Sequence, residues 1–177
     1  MFATIYTPNF YLQAALRHRT EPPTNPVALI ETQERKAIII QLNEAAEQAG
    51  VRKGMTPSQA LARCLQVAIK TRARVQERLI DEIVLHYAFT LAPYVEATSP
   101  GVCTIQFTDD RDLPRKVSRV IEQLKDCEIT AQAGIADQPD LSFLAAHLAK
   151  PILEVKDAKN FLAPLPIETL AIVTGCC

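Results

Sequence analysis

The sequence has almost no net charge, no long apolar run and no paired cysteine or histidine spacing, and each absence closes off a class of function. Nineteen Lys and Arg against 20 Asp and Glu leave a formal charge of −1, so no global field draws the chain to nucleic acid and such a contact requires a local patch. The five cysteines, Cys64, Cys103, Cys127, Cys176 and Cys177, are odd in number and lack metal-type pairing, which fits a reduced cytosolic setting. Cys64 and Cys103, in apolar helix and strand contexts, are expected as packed thiols, and Cys176-Cys177 as a frayed end. His18, His86 and His147 are scattered, none at ligand spacing with Cys or carboxylate, so no metal centre is expected. No Ser/His/Asp or Cys/His nucleophile arrangement is evident. The start, MFATIYTPNFYLQ, has neither a charged leader nor a membrane-length apolar run. There is no internal repeat and no low-complexity segment.

What remains is a chain of 177 residues, 48% hydrophobic and 22% charged, enough for one domain or two small lobes. Phe2 to Thr7 alternates as a strand, and Pro8-Asn9 breaks it and caps a helix from about Phe10 to His18. Arg19 to Pro26 reads as a proline-punctuated loop. Val27 to Ile30 and Ala37 to Gln41 read as strands. Asn43 is a candidate N-cap for a short helix that Gly50 closes, and Thr56-Pro57 opens a second helix. Val67 to Lys70 is a strand. Thr71 to Leu91 is the longest helical stretch, with Val75, Leu79, Ile83, Val84 and Tyr87 expected on its buried face and Pro93 ending it. Tyr94 to Ala97 and Val102 to Phe107 pair across Thr98-Ser99-Pro100-Gly101. Asp112 to Lys125 is an amphipathic helix with Leu113, Val117, Val120, Ile121 and Leu124 inward. Glu128 to Ile135 is a strand and Asp140 to Ala149 a helix. This order predicts an α+β, ferredoxin-like βαββαβ fold with a mixed sheet, interrupted by a lobe of about fifty residues.

The lobe carries NEAAEQAGVRKGMTPSQALARC, from Asn43 to Cys64. That segment resembles the fingers of Y-family, UmuC/DinB-type translesion DNA polymerases, in which a small helix, a Gly-Val-Arg turn, a Met-Pro or Thr-Pro step and an Ala-Leu helix recur in this order. FATIYTPNFYLQAAL is similar to the family's first palm strand and helix, VEATSPGVCTIQFT to its catalytic hairpin, and TAQAGIADQPDLSFLAAHLAKP to its later strand, helix and Lys-Pro. The resemblance covers about Phe2 to Pro166. It implies a palm from residues 1–19 and 71–166, fingers from 20–70 and a short tail at 167–177, without the family's thumb and little finger.

In the family, three carboxylates hold two divalent metals at the sheet edge, one activating the primer hydroxyl and one neutralising the triphosphate. The positions matching those acids are Tyr6, Gly101 and Val102. Glu96, Asp109 and Asp110 lie too far along the strands to substitute without a register shift. On the short fingers helix, the family's triphosphate-binding Tyr and Arg correspond to Glu44 and Glu47, which reverse the charge. Lys150, before Pro151, matches a phosphate-contacting lysine. Phe10 and Tyr11 fall where the family sets nucleotide-facing aromatics. Arg52, Lys53, Arg63, Lys70, Arg72, Arg74 and Arg78 are the candidates for DNA phosphate contact.

The pattern is similar to the ImuB-like branch, which lacks the metal ligands. The resemblance therefore implies a non-catalytic adaptor of damage-induced translesion synthesis, with no cofactor and no metal. DNA, an error-prone C-family polymerase, a RecA-like protein and the sliding clamp are its implied partners, in a bacterial cytoplasm and at the nucleoid, without membrane contact. Two competing readings stay open: an active, divergent polymerase core using Glu96, Asp109 or Asp110, and a truncated remnant or interaction domain without DNA affinity.

Overall fold

A computed structural model describes residues 1–17, 25–34, 36–109 and 111–170. The expectations placed on His18, on Arg19 to Thr24, on Asp110 and on Cys176-Cys177 lie outside the described residues. The chain divides into two compact units, Met1–Pro8 together with the chain from Ile80, and Asn9–Leu79. The division assigns Asn9 to Arg17 and Thr71 to Leu79 to the second unit, whereas the sequence reading assigned them to the palm.

The first unit is built on a five-stranded sheet in the order β5-β6-β1-β7-β8, formed by β1 (Phe2–Tyr6), β5 (Tyr94–Ser99), β6 (Val102–Gln106), β7 (Gln132–Ala136) and β8 (Ile152–Glu154). Its first four strands have the connectivity that the βαββαβ reading requires, with β1 central and antiparallel to both β6 and β7. β8, which was not anticipated, adds parallel to β7 through a crossover helix α6 (Pro139–Leu148). Both faces of β1 are covered, so Ala3, Thr4 and Ile5 are all fully buried.

Alternation along β1 separates the two faces. Thr4 and Tyr6 point to α6, where Thr4 Oγ1 meets Ser142 Oγ at 2.8 Å and Tyr6 stacks on His147. Helix α6 approaches β7 closely because Gly134 has no side chain; a β-carbon there would collide with Ser142 O and Ala146 N of the helix backbone. α4 (Arg74–Leu91) from Ile80 onward, the amphipathic α5 (Leu113–Asp126) and the short α7 (Ala158–Leu162) are the unit's other α-helices among the described residues, and α5 buries Leu113, Val117, Val120, Ile121 and Leu124 as expected.

The phase expected for α4 needs correction. Its buried residues are Glu77, Ile80, Val84 and Ala88, whereas Val75 and Leu79 are 70% and 41% exposed. The expected stripe gave weight to the largest apolar residues at helical spacing, but the packed stripe uses the small Ala88 and a paired carboxylate. Thr71 belongs to a strand rather than to this helix, and β7 starts at Gln132 rather than Glu128, which has a positive φ of 60°.

The second unit has a three-stranded sheet in the order β3-β2-β4, from β2 (Val27–Ile30), β3 (Ile39–Leu42) and β4 (Ala68–Thr71). β2 is antiparallel to β3 and parallel to β4. Helix α1 (Phe10–Leu16) packs Leu12 and Ala15 on Val27 and Leu29. Asn9 precedes it with φ 49° and makes no side-chain cap, so only its carbonyl serves the helix, accepting from Gln13 N at 2.9 Å.

Unlike Asn9, the other two helix starts read in this unit have side-chain caps. Asn43 Oδ1 accepts from Ala46 N at the start of α2 (Glu44–Gln48), and Thr56 forms a reciprocal capping box with Gln59 at the start of α3 (Pro57–Arg63). Asn43 Oδ1 also accepts from Val27 N at 2.9 Å, so one side chain ties the helix start to the sheet. Gly50 turns the chain at φ 87° behind α2.

Candidate functional site

The strand register brings three of the singled-out positions to one end of the five-stranded sheet. Tyr6 lies opposite Val102, and Thr7 N donates to Gly101 O at 2.8 Å. Gly101 N in turn donates to Asp81 Oδ1 at 2.8 Å, so α4 holds the hairpin turn from one side. Gly101 has φ 74°, which this turn demands of it.

On the α6 side, the end of the sheet is aromatic. The Tyr6 and His147 rings stack at 3.9 Å with 22° between planes, and Phe143 tilts against His147 at 4.4 Å. His147 Nδ1 lies 2.9 Å from Phe143 O. Burial raises the phenol pKa of Tyr6 above its usual value. It lowers that of the His147 imidazole, which the contact with Phe143 O opposes. Thr7 is 1% exposed, and its Oγ1 has no partner among the described residues. Burial pushes the Cys103 thiol, on the opposite face of β6, up to about 12, as expected of a packed cysteine.

A phenol, a glycine and an isopropyl group do not make the carboxylate set that two hard divalent cations take. Among the described residues no cluster of three or more His, Cys, Asp or Glu is placed to hold a metal ion. Glu96 is exposed on β5 opposite Thr104, and Asp109 lies past the far end of β6, paired with Arg111 at 3.0 Å. That pairing lowers the Asp109 carboxyl pKa. Neither acid is brought to Tyr6. The Tyr6–His147–Phe143 stack escaped the sequence reading because it joins residues more than 130 positions apart, and no local pattern signals it.

In the second unit, Glu44 and Glu47 are both exposed in the first turn of α2, where carboxylates favour the helix dipole. Glu44 accepts from Gln48 Nε2 at 3.0 Å. The seven basic candidates separate by environment. Arg52 turns back on its own chain, donating to Glu47 O and to Val51 O. Arg72 is the most engaged: its guanidinium lies 3.7 Å above the Tyr11 ring, forks onto Glu77 at 2.9 and 2.6 Å, and reaches Glu31 at 3.2 Å. Bonding to Glu77 raises its pKa further. Arg74 pairs with Glu31 at 2.9 Å. Lys53, Arg63, Lys70 and Arg78 have no ion-pair partner among the described residues. Phe10 and Tyr11 meet edge to face at 5.3 Å. Phe10 is buried, while Tyr11 is half-buried beneath Arg72. Lys150, in the first unit, is exposed at the end of α6.

Comparison with known proteins identifies the frame. The chain is 25% identical over 168 residues to DNA polymerase IV of Ralstonia nicotianae and 27% identical over 171 residues to DNA polymerase IV of Salmonella choleraesuis, each match covering 89% of this chain. The chain spans 47% and 48% of those relatives, about half their length. Among solved structures, DinB from Sulfolobus solfataricus superposes with a TM-score of 0.83 and an insertion ternary complex of Dbh DNA polymerase with 0.82. Each covers 95% of this chain at 15% identity, with 52% and 53% of the solved chain matched, and these likenesses establish the fold.

These names correct one expectation. The sequence reading placed the chain outside the enzymes because the acid positions hold Tyr6, Gly101 and Val102, yet the relatives it matches are DNA polymerases, which points to an enzyme. Residues 5–147 match the impB/mucB/samB family, and the chain belongs to that family of Y-family DNA polymerase-like proteins.

Proposed function

We propose that this chain acts in translesion DNA synthesis by engaging primer-template DNA, as an adaptor whose palm rests on the five-stranded sheet and whose fingers rest on the three-stranded one. The observation that carries this is the division among the basic residues of the second unit: Lys53, Arg63, Lys70 and Arg78 have no acid partner among the described residues, while Arg72 and Arg74 are committed to Glu31 and Glu77. Unpaired lysines and arginines exchange counterions for phosphates without first breaking an internal bond. On this reading Arg52, Arg72 and Arg74 shape the unit, and the other four supply affinity. The near-neutral chain as a whole makes the contact local. The similarity to the ImuB-like branch extends the proposal to damage-induced action, in a bacterial cytoplasm, beside an error-prone C-family polymerase, a RecA-like protein and the sliding clamp. Among the described residues no helix is long and apolar enough to cross a membrane.

The test is fluorescence anisotropy of a labelled primer-template duplex across a salt series. Each phosphate contact contributes about 0.9 to the log–log salt slope on duplex DNA, so alanine at Lys53, Arg63, Lys70 and Arg78 together lowers the slope by about 3.6. Replacing Arg74 by Gln leaves it unchanged within error. Affinity that is absent, or that is indifferent to salt and to these four residues, refutes the proposal. The name of the relatives favours a second reading, template-directed nucleotide addition involving this chain. Primer extension by the purified chain with Mg²⁺ or Mn²⁺ supports that reading if incorporation follows the template.

A further inference from the structure

Away from the sheet end, the last turns of α4 lie beside α5, and two adjoining depressions of about 530 and 480 Å³ run along this surface. Both are lined by Lys116 and Arg119, so they form one groove. Arg115 borders the larger depression, while Tyr87, Leu91 and Val120 give the smaller one an apolar wall. Arg115, Lys116 and Arg119 are exposed and have no ion-pair partner among the described residues, in contrast to Arg111 just upstream, which Asp109 holds. At helical spacing these three cations fall within little more than one turn. Asp112 and Glu122 stand at the two ends of the groove, about 15 Å apart along the helix at 1.5 Å per residue.

We propose that this groove docks an acidic, amphipathic helix of a partner protein, with carboxylates on Arg115, Lys116 and Arg119 and an apolar side chain against Tyr87 and Leu91. Charge complementarity favours this occupant over nucleic acid. A polyphosphate carries charge along its whole length and would meet Asp112 and Glu122 as well as the cations. A helix two to three turns long places its acids only opposite the three bases and leaves neutral side chains over the two acids. The apolar wall has no counterpart in a phosphate backbone, whereas a leucine or phenylalanine of an amphipathic helix fills it.

The probe is a labelled, end-capped helical peptide of about 15 residues, the length at which an isolated helix begins to hold. It carries three Glu and two Leu on one face, and its controls are the Glu-to-Gln version and a single-stranded oligo-dT of similar length. Anisotropy with the full chain is expected to show saturable binding of the acidic peptide, at least tenfold weaker for the Gln version and for the chain variant K116E/R119E. The milder variant R115Q/R119Q weakens binding by a smaller factor in the same direction. Circular dichroism and the melting midpoint of both variants stay at the parental values, because the replaced side chains are exposed. Binding of primer-template duplex is unchanged in both variants, which separates this proposal from the DNA-binding one. Equal binding of the Gln peptide, no saturable peptide binding, or an oligo-dT affinity that exceeds the peptide's and falls in K116E/R119E each overturns it.

Discussion

Replacing Gly134 by Ala is the most direct test of how α6 carries the end of the sheet. A β-carbon at this position would overlap Ser142 O and Ala146 N and sit 2.7 Å from Ala145 C, all of them backbone atoms that no rotamer change can move. Non-bonded carbons settle at about 3.5–4 Å, so α6 must retreat by about 1 Å, a gap that forfeits roughly a quarter to a half of the contact energy across the interface. For Leu141 and Leu144, each worth about 1.5–3 kcal/mol when fully buried, that is about 1–3 kcal/mol together. The retreat also parts Thr4 Oγ1 from Ser142 Oγ, now 2.8 Å apart and buried; Thr4 Oγ1 keeps Thr104 Oγ1 at 3.0 Å and Ser142 Oγ keeps Pro139 O at 2.8 Å, so the loss is that of one hydrogen bond, about 0.5–1.5 kcal/mol. The sum, about 1.5–4.5 kcal/mol, is a large share of an ordinary domain's stability. At roughly 2–4 °C per kcal/mol for a chain of this size, the thermal midpoint is expected to fall by about 10 °C, read by circular dichroism at 222 nm. Gly54→Ala is the control. Its φ of 84° disfavours any β-carbon, but nothing lies within 4 Å, so it costs only the backbone penalty of about 1–2 kcal/mol. A Gly134→Ala protein that melts within 2 °C of the parent, or no lower than Gly54→Ala, would show the close-approach reasoning to be wrong.

Two further outcomes are expected. Arg72 and Glu77 are 10% and 8% exposed at their side chains, so Arg72→Met strands a buried carboxylate and lowers stability by about 3–5 kcal/mol in urea unfolding, while the double variant Arg72→Met/Glu77→Met recovers most of it; a single variant within about 1 kcal/mol of the parent refutes the buried-pair reading. The half-buried imidazole of His147 has its pKa lowered from 6.5, so the unfolded state binds its proton more readily; its contribution is full above the unfolded value and is lost as the pH falls through the lower folded value. The urea midpoint is therefore expected to drop from pH 7.5 to pH 5.5 by more in the parent than in His147→Gln, and equal drops would remove His147 from the pH response.

What could be read from sequence shares one property: its determinants are close in the chain. The caps at Asn43 and Thr56, the turn at Gly50 and the apolar face of α5 are each written within a few residues, and the structure has them where the pattern puts them. The order of four of the five strands agrees with the sequence of elements, because few topologies accommodate a βαββαβ chain, while the added edge strand β8 had no signal strong enough to be read. The α4 face was misread because its phase is set by a neighbour: Glu77 is buried only because Arg72, five residues earlier, neutralises it.

By itself, the sequence determined most of the frame: the strands and helices of a palm-like sheet and an inserted lobe, and many of the local signals that start and stop them. Only the tertiary structure decided which charges are available. Arg72, Arg74 and Arg78 are equivalent as letters, yet folding sets the first over Tyr11 and between two carboxylates, ties the second to Glu31 and leaves the third in water. It likewise closed Tyr6 onto His147 across 141 residues and left Arg115, Lys116 and Arg119 along an open groove. The reason is physical. Helix and turn propensities act over a few bonds, whereas the pairing, burial and stacking of side chains depend on which distant segments meet.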